Sequence, residues 1–165
     1  MTTTRGGASE WRARAWRYGP VLVWVGVIFF ASTGNLSASN TSRIVRPLLL
    51  WLFPAITEAE LLRAHFFVRK AAHFTEYAVL ALLAARALLT SSRPALKTYW
   101  PAFALALVAA VALLDEYNQS LTATRTGTIY DSLIDITGGV FAVCVVWAWR
   151  CRRARRRRQE RLTLS

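Results

Sequence analysis

Ionisable and amide side chains gather in one stretch of the chain, DEYNQSLTATRTGTIYDSLIDITGG over residues 115–139. Asp115 and Gln119 are four residues apart there, a spacing that makes two side chains neighbours on a helix surface. Asp131 and Asp135 repeat this spacing at the start of the next apolar run. Paired carboxylates can act as a general acid and base, or as metal ligands. In a membrane they can also be structural, because polar side chains hydrogen-bond neighbouring helices together.

The composition indicates an integral membrane protein. The chain has 165 residues, of which 55% are hydrophobic, yet its formal net charge is +12. Its arginines cluster near the ends while the apolar residues lie in blocks, a pattern typical of membrane-spanning rather than soluble proteins. The length suits one domain. We therefore expect an all-α fold whose helices cross a bilayer.

Four apolar segments predict transmembrane helices, for which about 17–25 residues are needed. They cover residues 19–33, 69–89, 99–119 and 129–149. The first is marginal in length and resembles a signal peptide, but no convincing cleavage site follows, so we predict a retained helix. Residues 44–56 are too few to span and contain Pro47 and Pro54, which favour short, broken helices. The expected fold is thus a four-helix membrane bundle with a short interfacial or re-entrant segment between its first two helices.

Basic residues predict the orientation of this bundle. With four spans, three basic segments lie on one side of the membrane. They are residues 1–18, the connection that holds Arg93 and Lys97, and the tail at residues 150–165. Lysine and arginine near the ends of spans mark the cytoplasmic side. Both termini are therefore predicted to be cytoplasmic, with the membrane domain at residues 19–149. A fifth span at residues 44–56 would place the two basic termini on opposite sides.

Ionisable residues of three spans fall at a similar depth on the side opposite the termini. These residues are His73, Glu76, Asp115, Glu116 and Asp135. At the rise of an α-helix, they lie about 5 to 10 Å inside the outer boundary. Charges inside a membrane are costly and usually functional. The sequence therefore predicts one outward-facing polar pocket.

Each basic residue near this depth has two possible roles. His73 can shuttle a proton or bind a divalent metal ion together with the acids, or it can simply pair with one of them. No short ligand spacing diagnoses a metal site. Lys70 and Arg125 precede the second and fourth spans, where basic side chains and helix N-termini suit phosphate or carboxylate. Arg125 can equally pair with Asp131 or Glu116.

The pattern of these residues resembles the VanZ-like family of small bacterial membrane proteins, named for a glycopeptide (teicoplanin) resistance factor. The family pattern is Lys-x-x-His-Phe-x-x-Tyr in the second span, then Asp-Glu-x-x-Gln, an arginine, an aspartate and Asn-x-x-Gly. The matching residues are Lys70, His73, Phe74, Glu76, Tyr77, Asp115, Glu116, Gln119, Arg125, Asp131 and Gly138. Asp135 departs from the pattern, since it stands where the family usually has asparagine.

The resemblance implies a multi-pass protein of the bacterial cytoplasmic membrane that is associated with glycopeptide tolerance through the cell envelope. Two main hypotheses remain open, and a transporter is third because four spans are few for one unless the protein oligomerises. In one, the protein is an enzyme that acts on an anionic lipid or a lipid-linked headgroup. Its predicted catalytic residues are Glu116, Asp115, His73 and Asp131, and its predicted substrate-binding residues are Lys70, Glu76, Tyr77, Gln119, Arg125 and Asp135. In the other, the protein is a non-catalytic envelope adaptor or lipid-binding protein.

The arginine-rich tail bears on the choice of partner. Residues 150–161 include eight arginines. A basic segment directly after a span normally sets topology and touches anionic lipid. No groove-binding module accompanies it, so we predict no nucleic-acid partner. The sequence identifies membrane lipids as partners and identifies no protein partner.

Overall fold

The computed structural model describes residues 5–32, 38–120 and 129–163, without the side chains of residues 5–9, 38–44, 129–131 and 158. Its helices are α1 (Arg5–Ser32), α2 (Ala38–Leu52), α3 (Glu58–Leu89), α4 (Pro94–Thr98), α5 (Trp100–Ser120) and α6 (Ile129–Thr163). Four of the described helices, α1, α3, α5 and α6, are long and apolar enough to cross a membrane. The predicted all-α four-helix bundle is therefore confirmed.

Helix α3 is the centre of the bundle. It packs against α1, α5 and α6, and α5 also contacts α1 and α6. The core is rich in alanine, which lets helix backbones approach closely where lipid supplies no hydrophobic driving force between helices. The buried apolar residues of this core include Tyr77, Leu80, Ala81, Ala84 and Ala85 of α3, Ala104, Val108 and Ala112 of α5, Ala142 of α6 and Ile28 of α1.

Two adjacent glycines bring α6 into contact with both of its neighbours. A Cβ atom on Gly138 would collide with the carbonyl oxygen of Phe74 and lie 3.0 Å from its carbonyl carbon. A Cβ atom on Gly139 would lie 2.7 Å from Cγ1 of Val108. The first contact presses α6 against the backbone of α3, and the second presses it against a side chain of α5. Any larger residue at either position would force these helices apart.

Helix α1 is joined to α3 by two hydrogen bonds to backbone carbonyls. The indole Nε1 of Trp24 donates to the carbonyl oxygen of Glu76 at 2.9 Å. Nearer the start of α1, the guanidinium of Arg86 donates to the carbonyl oxygen of Trp16 at 3.3 Å. Later residues of α1 thus pair with earlier residues of α3, so the two helices are antiparallel. The C-terminal end of α1 therefore lies toward the N-terminal part of α3.

The segment at residues 44–56 differs in part from its prediction. Pro47 lies inside α2 and does not break it, so the expected interruption at this position is wrong. The proline removes one backbone donor, and its ring is exposed. The helix ends at Leu52, two residues before Pro54. Arg46 and Glu58 form an exposed ion pair at 2.6 Å, which joins α2 to the start of α3.

Three of the long helices extend well past the predicted spans. Helix α1 begins at Arg5, fourteen residues before residue 19. Helix α3 begins eleven residues before residue 69 because a capping box defines its start. The hydroxyl of Thr57 accepts from the backbone N–H of Glu60 at 3.3 Å, and the carboxylate of Glu60 accepts from the backbone N–H of Thr57 at 2.9 Å. Helix α6 continues through the arginine-rich tail to Thr163.

Gly138→Ala is expected to destabilise the bundle, since its methyl group must displace the backbone of α3. Overpacking of this kind costs about 1–3 kcal/mol in the free energy of unfolding, and the thermal midpoint of the purified protein in detergent should fall. Gly26→Ala is the matched control, because nothing lies within 4 Å of the Cβ position there. Its higher helix propensity should leave the midpoint unchanged or raised. Equal midpoints for the two variants would contradict the contact at Gly138.

Candidate functional site

The contact of Gly138 with Phe74 places a histidine–aspartate pair between α3 and α6. His73 precedes Phe74, and Asp135 lies three residues before Gly138 on the same face of α6. The Nδ1 atom of His73 is 3.2 Å from Oδ1 of Asp135, and only 3% of the aspartate side chain is exposed. The two atoms are close enough for an ion pair but are not aligned as a hydrogen bond.

A second polar connection links α1 to α5. The amide Nε2 of Gln119 donates to Oγ of Ser32 at 2.7 Å and to Oδ2 of Asp115 at 2.8 Å. An amide nitrogen carries two hydrogens, so both bonds can be made at once. All three side chains are buried. The arrangement fixes the carboxylate of Asp115 through one oxygen and leaves its Oδ1 atom with no hydrogen bond among the described residues.

Several buried polar atoms near these connections lack a hydrogen-bond partner in the described part of the chain. They are His73 Nδ1, Tyr77 Oη, Asp115 Oδ1, Glu116 Oε1, Ser132 Oγ and Asp135 Oδ1. Leaving a polar group buried and unpaired costs about 1–3 kcal/mol. Native interiors contain few such groups, and each calls for a physical explanation. Their concentration here is what a site for a polar ligand group requires.

The hydroxyl of Tyr77 shows that these atoms converge. The side chain is fully buried, at 0% exposure, in the middle of α3. It interacts electrostatically with four carboxylates contributed by three helices. These carboxylates belong to Asp115, Asp135, Glu76 and Glu116. The four acids are therefore neighbours of Tyr77 in the bundle rather than separate surface groups.

Lys70 lies on the N-terminal side of this cluster along α3, one helical turn before His73. Its ammonium interacts electrostatically with Asp135 and Glu116, and Nζ lies 5.2 Å from the centroid of the Phe66 ring. Glu116 in turn interacts with His73 and with the two aspartates. We call the whole set the polar cluster. It comprises Ser32, Lys70, His73, Glu76, Tyr77, Asp115, Glu116, Gln119, Ser132 and Asp135.

Eight of the ten predicted site residues belong to the polar cluster, and the other two have no described side chain. Arg125 lies outside the described residues. Asp131 lies in the first turn of α6, but its side chain is not described. The structure brings the eight together from α3, α5 and α6, and their catalytic or binding roles stay predictions.

Two serines of the polar cluster were not predicted as site residues. Ser132 is 5% exposed and lies three residues before Asp135, so helical spacing alone could have identified it. Ser32 gave a weaker signal, because only its position at the end of an aromatic run marks it in the sequence. Its role depends on the packing of α1 against α5, which no local pattern encodes.

The carboxylates do not form a recognisable metal site. No group of three or more His, Cys, Asp or Glu side chains is arranged to hold a metal ion in residues 5–32, 38–120 and 129–163. A divalent metal therefore stays a prediction of the sequence.

The fold and the polar cluster define an α-helical protein with four helices of membrane-spanning length and buried ionisable residues between them, consistent with a membrane protein. The profile of the VanZ/LLP1 family matches residues 18–150. This match covers most of the chain, so the protein belongs to the VanZ/LLP1 family and the resemblance read from the residue spacing is confirmed. No curated protein and no solved structure matches the chain.

Ser32→Ala and Gln119→Ala are expected to be coupled, because each removes one end of the same interhelical hydrogen bond. In a double-mutant cycle, their losses in the free energy of unfolding should differ from additivity by about 0.6 kcal/mol, the mean for such bonds in a membrane protein. The measurement is unfolding in mixed micelles. Tyr117→Phe, on the exposed face of α5, should be additive with Ser32→Ala. Additivity in both cycles would contradict the Ser32–Gln119 bond.

Proposed function

We propose that the polar cluster binds the phosphate-bearing headgroup of a membrane lipid or of a lipid-linked cell-envelope molecule. The observation that carries this proposal is the set of buried, unpartnered atoms around Tyr77. The part of a headgroup beyond its phosphate can supply the hydrogen-bond donors that these oxygens lack. Its acyl or polyprenyl chain would remain in the bilayer beside the apolar faces of α3, α5 and α6.

The depth of the polar cluster supports a headgroup as the ligand. Asp115 lies five residues from the end of α5, and Asp135 lies six residues from the start of α6. These separations correspond to about 8 Å and about 9 Å along the helix axes. Both carboxylates are therefore close to one face of the bilayer, within the range that a lipid headgroup can reach. Lys70 would meet the phosphate, and Arg125 is the predicted second cation.

The proposed orientation places the polar cluster on the outer side of the bacterial cytoplasmic membrane and both termini in the cytoplasm. Arginines follow the apolar part of α6, and basic residues precede that of α1. Such residues favour the cytoplasmic side. The antiparallel packing of α1 on α3 puts Trp16 beside Arg86, at the end of α3 away from His73.

Modification of the bound headgroup is the alternative activity. The His73–Asp135 pair can hold or move a proton, and Glu116 offers an unpartnered carboxylate oxygen as a base. A non-catalytic adaptor would use the polar cluster only to bind lipid. The link to glycopeptide resistance that the family implies stays part of this proposal, since either activity at the outer face would alter the envelope.

Removal of the unpartnered oxygens should release the lipid. We expect Glu116→Gln and Tyr77→Phe to reduce the lipid that copurifies in mild detergent by roughly tenfold each, since a hydrogen bond to a charged group is worth about 1.5–3 kcal/mol. Native mass spectrometry of the purified protein measures the bound lipid. Tyr117→Phe is the matched control, because that ring is 66% exposed and lies outside the polar cluster. Equal lipid retention by all three variants would overturn the proposal.

The same proteins in lipid nanodiscs separate binding from modification. The panel contains phospholipids and polyprenyl phosphates, each with divalent metal and with chelator. If the wild-type protein releases phosphate or headgroup and Glu116→Gln does not, the protein is an enzyme. If chelator abolishes this release, the activity requires a metal. Lipid retained without release would identify a binding protein.

The proposed orientation predicts which thiols an impermeant maleimide can reach in intact cells. The native Cys151 follows the apolar part of α6 and should react only after permeabilisation. Ala55→Cys, in the exposed connection between α2 and α3, should react without it when Cys144 and Cys151 are replaced by alanine. Labelling of Cys151 in intact cells would reverse the proposed orientation.

A further inference from the structure

The described part of the polar cluster contains more negative than positive charge. Glu76, Asp115, Glu116 and Asp135 supply carboxylates, whereas Lys70 supplies an ammonium and His73 an imidazole. His73 is already close to Asp135. A phosphate placed among the remaining carboxylates would meet like charge, which costs several kcal/mol at a buried contact. Phosphate alone therefore suits the side of the cluster near Lys70 and does not suit its interior.

The unpartnered atoms of the interior require a donor. Oxygens Oδ1 of Asp115 and Oε1 of Glu116 are unpartnered, and an ionised carboxylate can only accept hydrogen bonds. A primary ammonium is the complementary group, since it offers three donors, no acceptor and a positive charge. The hydroxyls of Tyr77 and Ser132 are also buried and unpartnered, and a hydroxyl can accept from an ammonium as well. The site is therefore more than a group of acids.

Lys70 and the buried hydroxyl of Tyr77 lie at different depths along α3. Lys70 precedes His73 by three residues and Tyr77 by seven along α3. The rise of the helix converts these separations to about 5 Å and about 10 Å. A phosphate near Lys70 can then be followed, two carbons further, by an amine that reaches the carboxylates.

We infer that the headgroup bound in the polar cluster carries a primary amine beside its phosphate, as an ethanolamine phosphate does. This inference rests on the proposed function and names the chemical class of its ligand. A glycerol headgroup offers hydroxyl donors but leaves the carboxylates without a counter-charge. A choline headgroup has the charge but no N–H donor, and it normally requires a cage of several aromatic rings.

The test compares headgroups on the purified full-length protein in detergent. Phosphatidylethanolamine, phosphatidylglycerol and phosphatidylcholine with identical acyl chains are titrated, and bound lipid is counted by native mass spectrometry. We expect phosphatidylethanolamine to bind at least tenfold more tightly than either of the others, and stepwise N-methylation to weaken binding progressively. Soluble O-phosphoethanolamine, added alone, distinguishes recognition of the headgroup itself from recognition of a complete lipid. Binding of this soluble compound or of phosphatidylethanolamine supports the inference.

Variants assign the two charges. Glu116 is half-buried, and Glu116→Gln is nearly isosteric. This substitution should lower the preference for phosphatidylethanolamine over phosphatidylglycerol by tenfold. Lys70→Gln should instead weaken the binding of both lipids alike. Tyr117→Phe should leave every affinity unchanged. Equal or tighter binding of phosphatidylglycerol to the wild-type protein would overturn the inference while leaving the proposed function intact. No specific binding of any lipid would overturn both.

Discussion

The close approach of α6 to α3 at Gly138 is the constraint on which the site depends. A helix backbone can meet another backbone only where no side chain intervenes, and a Cβ atom at Gly138 would collide with the carbonyl oxygen of Phe74. This contact fixes the register of the two helices. One helical turn earlier on α6 and one residue earlier on α3, the register brings Asp135 to His73. Gly139 adds the same constraint toward α5 through Val108.

Burying the polar cluster lowers the stability of a bundle of this size, and the surrounding contacts explain how the cluster persists. Tyr77 and Asp115 are at most 2% exposed, and each has an atom without a hydrogen bond among the described residues. Close packing of alanines on one side of the cluster, at Ala81, Ala84 and Ala85 of α3, supplies dispersion energy that does not depend on the cluster. The bond from Gln119 to Ser32 adds a polar restraint on the other side. A rigid scaffold thus holds unsatisfied groups in place, as the proposed binding of a headgroup requires.

Asp135 lies against the histidine of the polar cluster. Its Oδ1 atom is 3.2 Å from the imidazole Nδ1 of His73. Asp115 and Glu116 each keep one carboxylate oxygen without a hydrogen bond among the described residues. These two oxygens are what makes a ligand group that carries hydrogen-bond donors chemically reasonable.

The sequence by itself determined the class of the protein, its long helices and most of the site. Apolar length gave the spans, and a rise of 1.5 Å per residue was enough to place His73, Asp115 and Asp135 at one depth. Packing decided the rest. Three features depend on which helix faces meet: the helix through Pro47, the bond from Ser32 to Gln119, and the carboxylate that faces the histidine. The depth of a residue follows from counting residues along one helix. Which side chains face each other depends instead on the rotation of each helix about its axis. That rotation is set by contacts between residues distant in sequence, such as Gly138 with Phe74.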